Sequence, residues 1–287
     1  MPIAVREWRT ARGSVPLDRP RIMGILNVTP DSFWDGGRYA APDAALAHAA
    51  ALVEQGADLI DIGGESTRPG ARPVPTDEEL SRILPLIREV ARRWPEVMIS
   101  VDTVKAPVAR AALDEGAAVV NDVSGLRLDP ELGEVAAEAG AGIVLMHSRG
   151  GIEEMARYDL AQYGPDPAGE VAAELAGALD RARRAGIDEA AVVVDPGLGF
   201  SKRTEHSVAV LAHLDRLLAL DRPVLIGPSR KRFVGELAGG LPVAERLEGT
   251  IAACVAGLLH GARLFRVHDV AAVRRALDVA EAIRIAP

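Results

Sequence analysis

The sequence predicts an α/β protein folded as a single (β/α)8 TIM barrel, and three observations carry that prediction. Eight short, apolar, β-branched runs each precede a stretch with helical spacing of its apolar residues. The runs are apolar on both faces, as strands of a parallel sheet covered by helices must be. Glycines at 56, 116, 140, 186 and 261 fall where helices should end, as a left-handed C-terminal cap requires. The alternative is a doubly wound open sheet. It would want G-x-G-x-x-G after the first strand, where the chain reads GILNVTPDSFWDGG.

In chain order, IMGILNVT (22–29) is the first strand and a helix follows near 43–55. DLIDIGG (58–64) precedes a helix near 77–93, whose start carries Thr76 and Glu79 at capping-box spacing. MISVDT (98–103) precedes 105–115, and AVVND (118–122) precedes 130–139. GIVLMH (142–147) leads into 167–185, and AVVVDPG (191–197) into 204–219. PVLIGPS (223–229) precedes 243–260, and RLFRVH (263–268) precedes 269–284. Residues 1–20 form an N-terminal extension with no assigned element, and 21–287 form one barrel domain without linker or low-complexity tract.

Composition narrows the function. Of 287 residues, 48% are hydrophobic and 26% charged, an ordinary soluble globular balance. A net charge of -8 argues against a nucleic-acid partner, which needs a basic stripe. No apolar run reaches the ~20 residues of a membrane span, and MPIAVREWRTARG lacks a signal-peptide core, so a cytoplasmic enzyme is expected. The single cysteine, Cys254, sits in TIAACVAGLLHG and reads as a small core residue. Lysine is scarce: Lys105, Lys202 and Lys231 are all there are, so each kept lysine suggests a need for a compact point charge.

The stretch AAVVNDVSG (117–125) raises the functional question, because burying an amide and a carboxylate costs several kcal/mol unless each is paired. In a barrel of this kind the site lies at the C-terminal strand ends. There the sequence places Asn27, Glu65, Asp102, Asn121, Asp122, His147, Asp195, Lys231, Arg266 and His268. Asp102, Asn121 and Asp195 suit a heterocycle with fused amide and amine edges; a hard-metal cluster is the competing reading. Ser229, Arg230, Lys231, Arg266 and His268 follow strands seven and eight, the usual phosphate position, and predict an anion sub-site. The Gly- and Pro-rich loops TPDSFWDGGRYAA and ESTRPGARPVP read as lids.

The ordered motifs MGILNVTPDSF, DIGGESTRPGA, SVDT, NDVSG, LMH, DPGLGF, SRK and RVHD closely resemble those of the dihydropteroate synthases, from about Met23 to Asp269. The resemblance implies condensation of 6-hydroxymethyl-7,8-dihydropterin pyrophosphate with p-aminobenzoate, assisted by Mg2+, in a homodimer. It implies that Asp102, Asn121, Asp195 and Lys231 hold the pterin with Met146 against the ring. It puts Asn27, Arg266, Val267 and His268 at the pyrophosphate, Asn27 also as a Mg2+ ligand. Asp31 and Phe33 on the first lid, and Thr67, Arg68 and Pro69 on the second, would shape the p-aminobenzoate site, with Phe200 and Lys202 in its wall. Asp31, Lys231 and Arg266 would carry the catalysis, which resembles ionisation to a pterin methylene cation followed by attack of the aniline nitrogen.

Three positions depart from the family pattern: Trp34 and Ser201 replace a usual serine and glycine, and Arg232 stands where a small serine is common. They touch the p-aminobenzoate contacts and hence sulfonamide affinity. Two other readings compete: a pterin-binding paralogue without synthase activity, and a methyltetrahydrofolate-type methyltransferase. The first should have lost lid or anion residues that this chain keeps; the second needs no pyrophosphate cradle.

Overall fold

The structure is a computed structural model that describes residues 7–28, 41–66 and 73–287. Beyond a hairpin of β1 (Glu7–Thr10) and β2 (Gly13–Pro16), strands and helices alternate. The order is β3 (Arg21–Asn27), α1 (Ala41–Glu54), β4 (Leu59–Gly63), α2 (Thr76–Arg93), β5 (Met98–Asp102) and α3 (Ala106–Asp114). Then come β6 (Val119–Asp122), α4 (Glu131–Glu138), β7 (Gly142–Met146), α5 (Pro167–Arg184), β8 (Val192–Asp195), α6 (Thr204–Ala212) and α7 (Asp215–Leu218). The chain ends with β9 (Leu225–Ile226), α8 (Arg232–Leu237), α9 (Leu247–Leu259), β10 (Leu264–Val267) and α10 (Val270–Ile285).

Strands β3 to β10 form one parallel sheet in the order β8-β7-β6-β5-β4-β3-β10-β9, and a lone bridge between Val194 and Val224 closes it into a barrel. The predicted (β/α)8 fold is therefore present. All five predicted helix-ending glycines have positive φ, from 59° at Gly140 to 110° at Gly116.

Two shells of apolar side chains follow from strand alternation. Ile22, Ile60, Ile62, Ile99, Val101, Ile143, Val194 and Val267 face the helices. Met23, Leu59, Val119, Val144, Val193, Leu225 and Leu264 fill the barrel's lower interior with Trp8 of the hairpin. The indole Nε1 of Trp8 donates to the Ala191 carbonyl at 2.8 Å, so this large side chain is wholly buried with its polar atom satisfied. The segment read as an extension without structure thus plugs the base of the barrel. A four-residue strand beside a second one is too short for its alternation to stand out.

Several local expectations differ. The predicted helix 204–219 breaks at His213 into α6 and α7, which lets Leu214 and Leu217 both bury. The predicted helix 243–260 begins only at Leu247, and the additional short helix α8 precedes it. The Thr76–Glu79 capping box does not form: Thr76 is already helical, and no side chain caps the helix. Glu79 instead lies fully buried with Oε2 2.5 Å from the Lys105 ammonium, a charge-assisted bond that outcompetes a neutral cap. Cys254 is a buried core residue, its thiol pushed up to about 12 by burial.

Candidate active site

Strand parity decides which polar groups reach the barrel mouth. Two residues beyond the floor positions, the chain places Asp61, Asn121, Met146, Asp195 and Arg266 inside, with Asp102 inside on β5. A cavity at that level is lined by Asp102, Asn121, Met146, Asp195, Lys231 and Arg266, with Phe200 at its side. The puzzle of AAVVNDVSG is thereby settled. Asn121 points in, whereas Asp122 points out and accepts from Ser124 N at 2.8 Å, Ser124 Oγ at 2.7 Å and Leu126 N. Asp122 braces the turn of Gly125 and Leu126, both at positive φ, and contributes nothing to the cavity.

Arg266 organises the floor. Its Nε donates to Asp61 Oδ2 at 2.6 Å and its Nη2 to Asp102 Oδ2 at 2.6 Å. Asn121 Nδ2 donates to the same Asp61 oxygen at 3.0 Å. A carboxylate only accepts, so this contact fixes the amide and leaves Asn121 Oδ1 toward the cavity. Asp195 uses Oδ1 to accept from Gly197 N at 2.7 Å. The Lys231 ammonium sits 3.5 Å from the centre of the Phe200 ring. Among the described residues, Asp102 Oδ1, Asn121 Oδ1, Asp195 Oδ2 and the Lys231 ammonium have no hydrogen-bond partner. Besides the remaining N–H groups of Arg266, the cavity therefore presents three acceptors and the Lys231 donor.

Electrostatics are frustrated in the same place. Burial pushes the Asp102 carboxyl up to about 7 against the pull of Arg266, with Asp61 adding repulsion. Burial raises Asp195 to about 6, opposed by the Gly197 N–H and Lys231. Lys231 falls to about 7 through burial and the Arg266 charge. Burial works against the Arg266 charge too, but Asp61 and Asp102 overcome it and hold its pKa above the ordinary value. Charges kept out of water without full pairing mark a site built for a polar ligand. An Arg already lodged between Asp61 and Asp102 also fills the place a metal would take in a carboxylate cluster.

Other predicted residues lie elsewhere. Val267 packs in the outer core, so its side chain cannot meet a ligand at the mouth. His147, first beyond β7, turns outward to Glu174, with Nε2 to Oε2 at 3.0 Å. Lys202 does not line the cavity: its ammonium is buried behind the Gly197–Phe200 turn, on His147 Nδ1 and two carbonyls. Arg230 is committed to Asp269 through bonds of 2.9 and 2.6 Å, and Glu65 to Lys105 and the Val74 N–H. Ser229 Oγ pairs with His268 Nδ1 at 2.9 Å beside the mouth. Asn27 ends β3, half-buried. Asp31, Phe33, Thr67, Arg68 and Pro69 lie outside the described residues, as does Trp34. Asp61 was missed; its signal was a carboxylate in the centre of the apolar run LIDIG, the same anomaly that marked Asn121.

Ser201 has φ of 47°, which explains why glycine suits that position in the family pattern. The serine is held there by its own hydroxyl. Oγ bonds the Arg149 carbonyl at 3.0 Å and accepts from the Arg149 N–H at 2.9 Å. Arg232 lies with its guanidinium 3.5 Å above the Tyr158 ring.

Residues 23–268 match the family described as pterin binding enzyme. The chain belongs to the pterin-binding enzymes. Among relatives of this family, the dihydropteroate synthase of Mycobacterium leprae is 47% identical over 264 residues, covering 90% of this chain and 92% of its own. A structure of Xanthomonas albilineans dihydropteroate synthase with 4-aminobenzoic acid is 45% identical with a TM-score of 0.90, covering 98% of this chain and 100% of that one. Another from the same organism, in complex with 7,8-dihydropteroate, is 43% identical with a TM-score of 0.86, covering 96% and 97%.

Proposed function

We propose that this chain condenses 6-hydroxymethyl-7,8-dihydropterin pyrophosphate with p-aminobenzoate to give 7,8-dihydropteroate and pyrophosphate. The observation that carries this reading is the pattern of unpaired groups in the cavity. Three acceptors and one lysine donor complement a dihydropterin ring, whose edge bears amidine N–H donors and a carbonyl acceptor. Asp102, Asn121 and Asp195 accept from the ring, Lys231 donates to it, and Met146 and Phe200 cover its faces. Among the described residues only two of the five Arg266 N–H groups are engaged, so the rest can meet the pyrophosphate, with His268 two positions further along the chain.

In the reaction the C–O bond between the methylene carbon and the pyrophosphate breaks, and its electron pair leaves on the pyrophosphate oxygen. The positive charge left on the methylene spreads into the ring. The aniline nitrogen then supplies the pair for the new C–N bond and loses a proton to the departing pyrophosphate or to water. Arg266 favours this ionisation by offsetting the charge that grows on the leaving group. Asp31, Phe33, Thr67, Arg68 and Pro69 are assigned to the p-aminobenzoate side from the motifs alone.

Mg2+ fits the donor set. Among the described residues no group of three or more His, Cys, Asp or Glu stands ready to cage a metal. Asn27 offers one hard oxygen at the mouth, and Mg2+ commonly takes one or two protein ligands with the rest from phosphates and water. When bound, it would supply charge neutralisation of the pyrophosphate.

Two further parts of the reading rest on surfaces. No helix among the described residues is long and apolar enough to cross a membrane. A cavity of about 400 Å³ opens between α6, α8 and α9, and Leu237, Val243 and Leu259 are exposed nearby. An apolar face of this kind suits self-association as a homodimer. The deciding experiment is pyrophosphate release from the pterin pyrophosphate, with and without p-aminobenzoate. Release that depends on p-aminobenzoate is expected. Binding of the pterin without release would identify the non-catalytic paralogue instead.

A further inference from the structure

Lys202 is wholly buried, yet it is not among the residues that line the heterocycle cavity. Its three N–H groups meet three acceptors: His147 Nδ1 at 2.8 Å, the Gly197 carbonyl at 3.2 Å and the Phe200 carbonyl at 3.2 Å. Both carbonyls belong to the turn that walls the cavity. The turn is tight: Gly197 has φ of 63°, and a Cβ there would lie 2.0 Å from the His147 carbonyl oxygen. Its N–H is the donor that braces Asp195 Oδ1. Phe200, at the far end of the turn, carries the ring that faces the Lys231 ammonium. One amine thus ties together the backbone that places Asp195 and the aromatic that places Lys231.

The imidazole continues the chain outward. Because Nδ1 accepts from Lys202, Nε2 carries the proton and donates to Glu174, which Arg149 also grips. Burial, the Lys202 charge and Arg149 hold His147 neutral, its pKa lowered to about 4. A hydrocarbon side chain would fill the same space with no charge to bury. Retaining a lysine in a chain with only three of them therefore calls for a role of its own.

We propose that Lys202 is a positioning residue for the heterocycle end of the site: its buried ammonium fixes the Gly197–Phe200 turn and supplies, from behind, the positive charge that Asp195 needs to act as an acceptor. The inference rests on the pterin reading of the cavity. Asp195 is faced by Lys231 and Arg266 from the cavity side and by Lys202 from the rear. Lys202 is faced by Asp195, Arg149, Glu174 and Lys231, with the Tyr163 ring 5.9 Å away. Burial lowers the amine to about 7, and its charge in turn lowers Asp195, which stands at about 6. An acid held at that value accepts from a ring N–H only above it, so the Asp195 part of pterin binding should be lost as the pH drops through about 6, below the part that Asp102 loses near 7. Without the Lys202 charge the fall should begin at higher pH. Asp102 titrates beside Arg266 and Asp61, not beside Lys202, and is the same with or without the lysine.

The test is titration calorimetry of the pterin pyrophosphate with the full chain from pH 5 to 8, for the unaltered protein, Lys202→Met and Lys202→Gln. Both substitutions should move the midpoint of the pH dependence upward by about one unit, the change expected when a facing charge is lost. Lys202→Met should also weaken binding roughly tenfold at pH 8, where the lost ties alone act, and Lys202→Gln, which keeps N–H donors, should recover part of that loss. An unchanged midpoint in whichever variant folds overturns the proposal, even if affinity drops at every pH. If one variant fails to fold, the ¹³C carboxyl shift of Asp195 read against pH in the other decides the same question. Failure of the unaltered protein to bind the pterin at any pH would count against the function instead.

Discussion

Asp102→Asn should make the protein more stable and less active, and both effects should depend on pH. Asp102 stands at about 7 in the folded chain against 3.8 for an unperturbed carboxyl, chiefly through burial. The folded state therefore binds this proton more tightly than the unfolded state. Stability from the group is present at low pH, is lost progressively as the pH rises from about 4 to 7, and is flat above. About 3 pKa units correspond to about 4 kcal/mol of penalty on the ionised form. The amide removes that penalty yet keeps an oxygen for the Arg266 Nη2 now 2.6 Å away. A gain of roughly 2–4 kcal/mol at pH 8 is expected, a rise in Tm of about 4–8 °C for a chain of this size. The gain should shrink by about 2–3 kcal/mol at pH 5, where most Asp102 is already protonated. Meanwhile the oxygen aimed into the cavity becomes an N–H donor, and kcat/KM should fall about 100-fold. Calorimetric melting at the two pH values, with pyrophosphate-release kinetics, reads both effects. A variant destabilised equally at pH 5 and pH 8 would refute the burial argument.

Arg266→Met should destabilise by about 3–5 kcal/mol near neutral pH, because it leaves Asp61 and Asp102 buried without their cation, and less at pH 5, where Asp102 can take up a proton. In binding assays it should weaken the pyrophosphate-bearing pterin more than the phosphate-free pterin; equal losses would mean that Arg266 acts through the fold alone. Ser201→Ala keeps the unfavourable φ and loses the hydroxyl bonds to Arg149, so a loss of about 1–2 kcal/mol is expected, whereas Ser201→Gly should lose less in the same denaturant titration. Trp8→Ala should cost about 3–5 kcal/mol in chemical denaturation while leaving kcat within about twofold at 20 °C, since the indole lies at the opposite end of the barrel from the cavity.

How much of this was legible in the sequence depends on the range of the signal. The eight strand–helix units could be read because each alternation is local and repeated. The hairpin could not: Trp8 and Val15 become interior only by meeting Leu59, Val144 and Leu225, which are remote in the chain. In the site, Asp102, Asn121, Asp195, Lys231 and Arg266 were visible as polar residues ending apolar runs, and all five line the cavity. Asp122 and His147 gave the same signal but face away, because one residue's shift along a strand reverses its side. Lys202 was read into the wall of the p-aminobenzoate site because its motif adjoins Phe200; nothing local tells that its amine folds back to His147. The broken capping box at Glu79 has the same origin, a lysine on the next unit that no window of ten residues contains.

The barrel's closure is uneven, and the unevenness falls at a telling place. Five register pairs join β4 to β5, whereas β8 and β9 meet through the lone bridge between Val194 and Val224. Asp195 follows one side of that bridge directly, and Lys231 follows the other side within a few residues. The two groups that would grasp opposite parts of one ring thus stand on either bank of the least-stitched seam. A bound heterocycle that reaches both becomes a stave-to-stave rivet, adding from outside the chain a tie that the backbone itself supplies only once. Occupancy of the pocket would then reinforce a closure that the backbone already makes there.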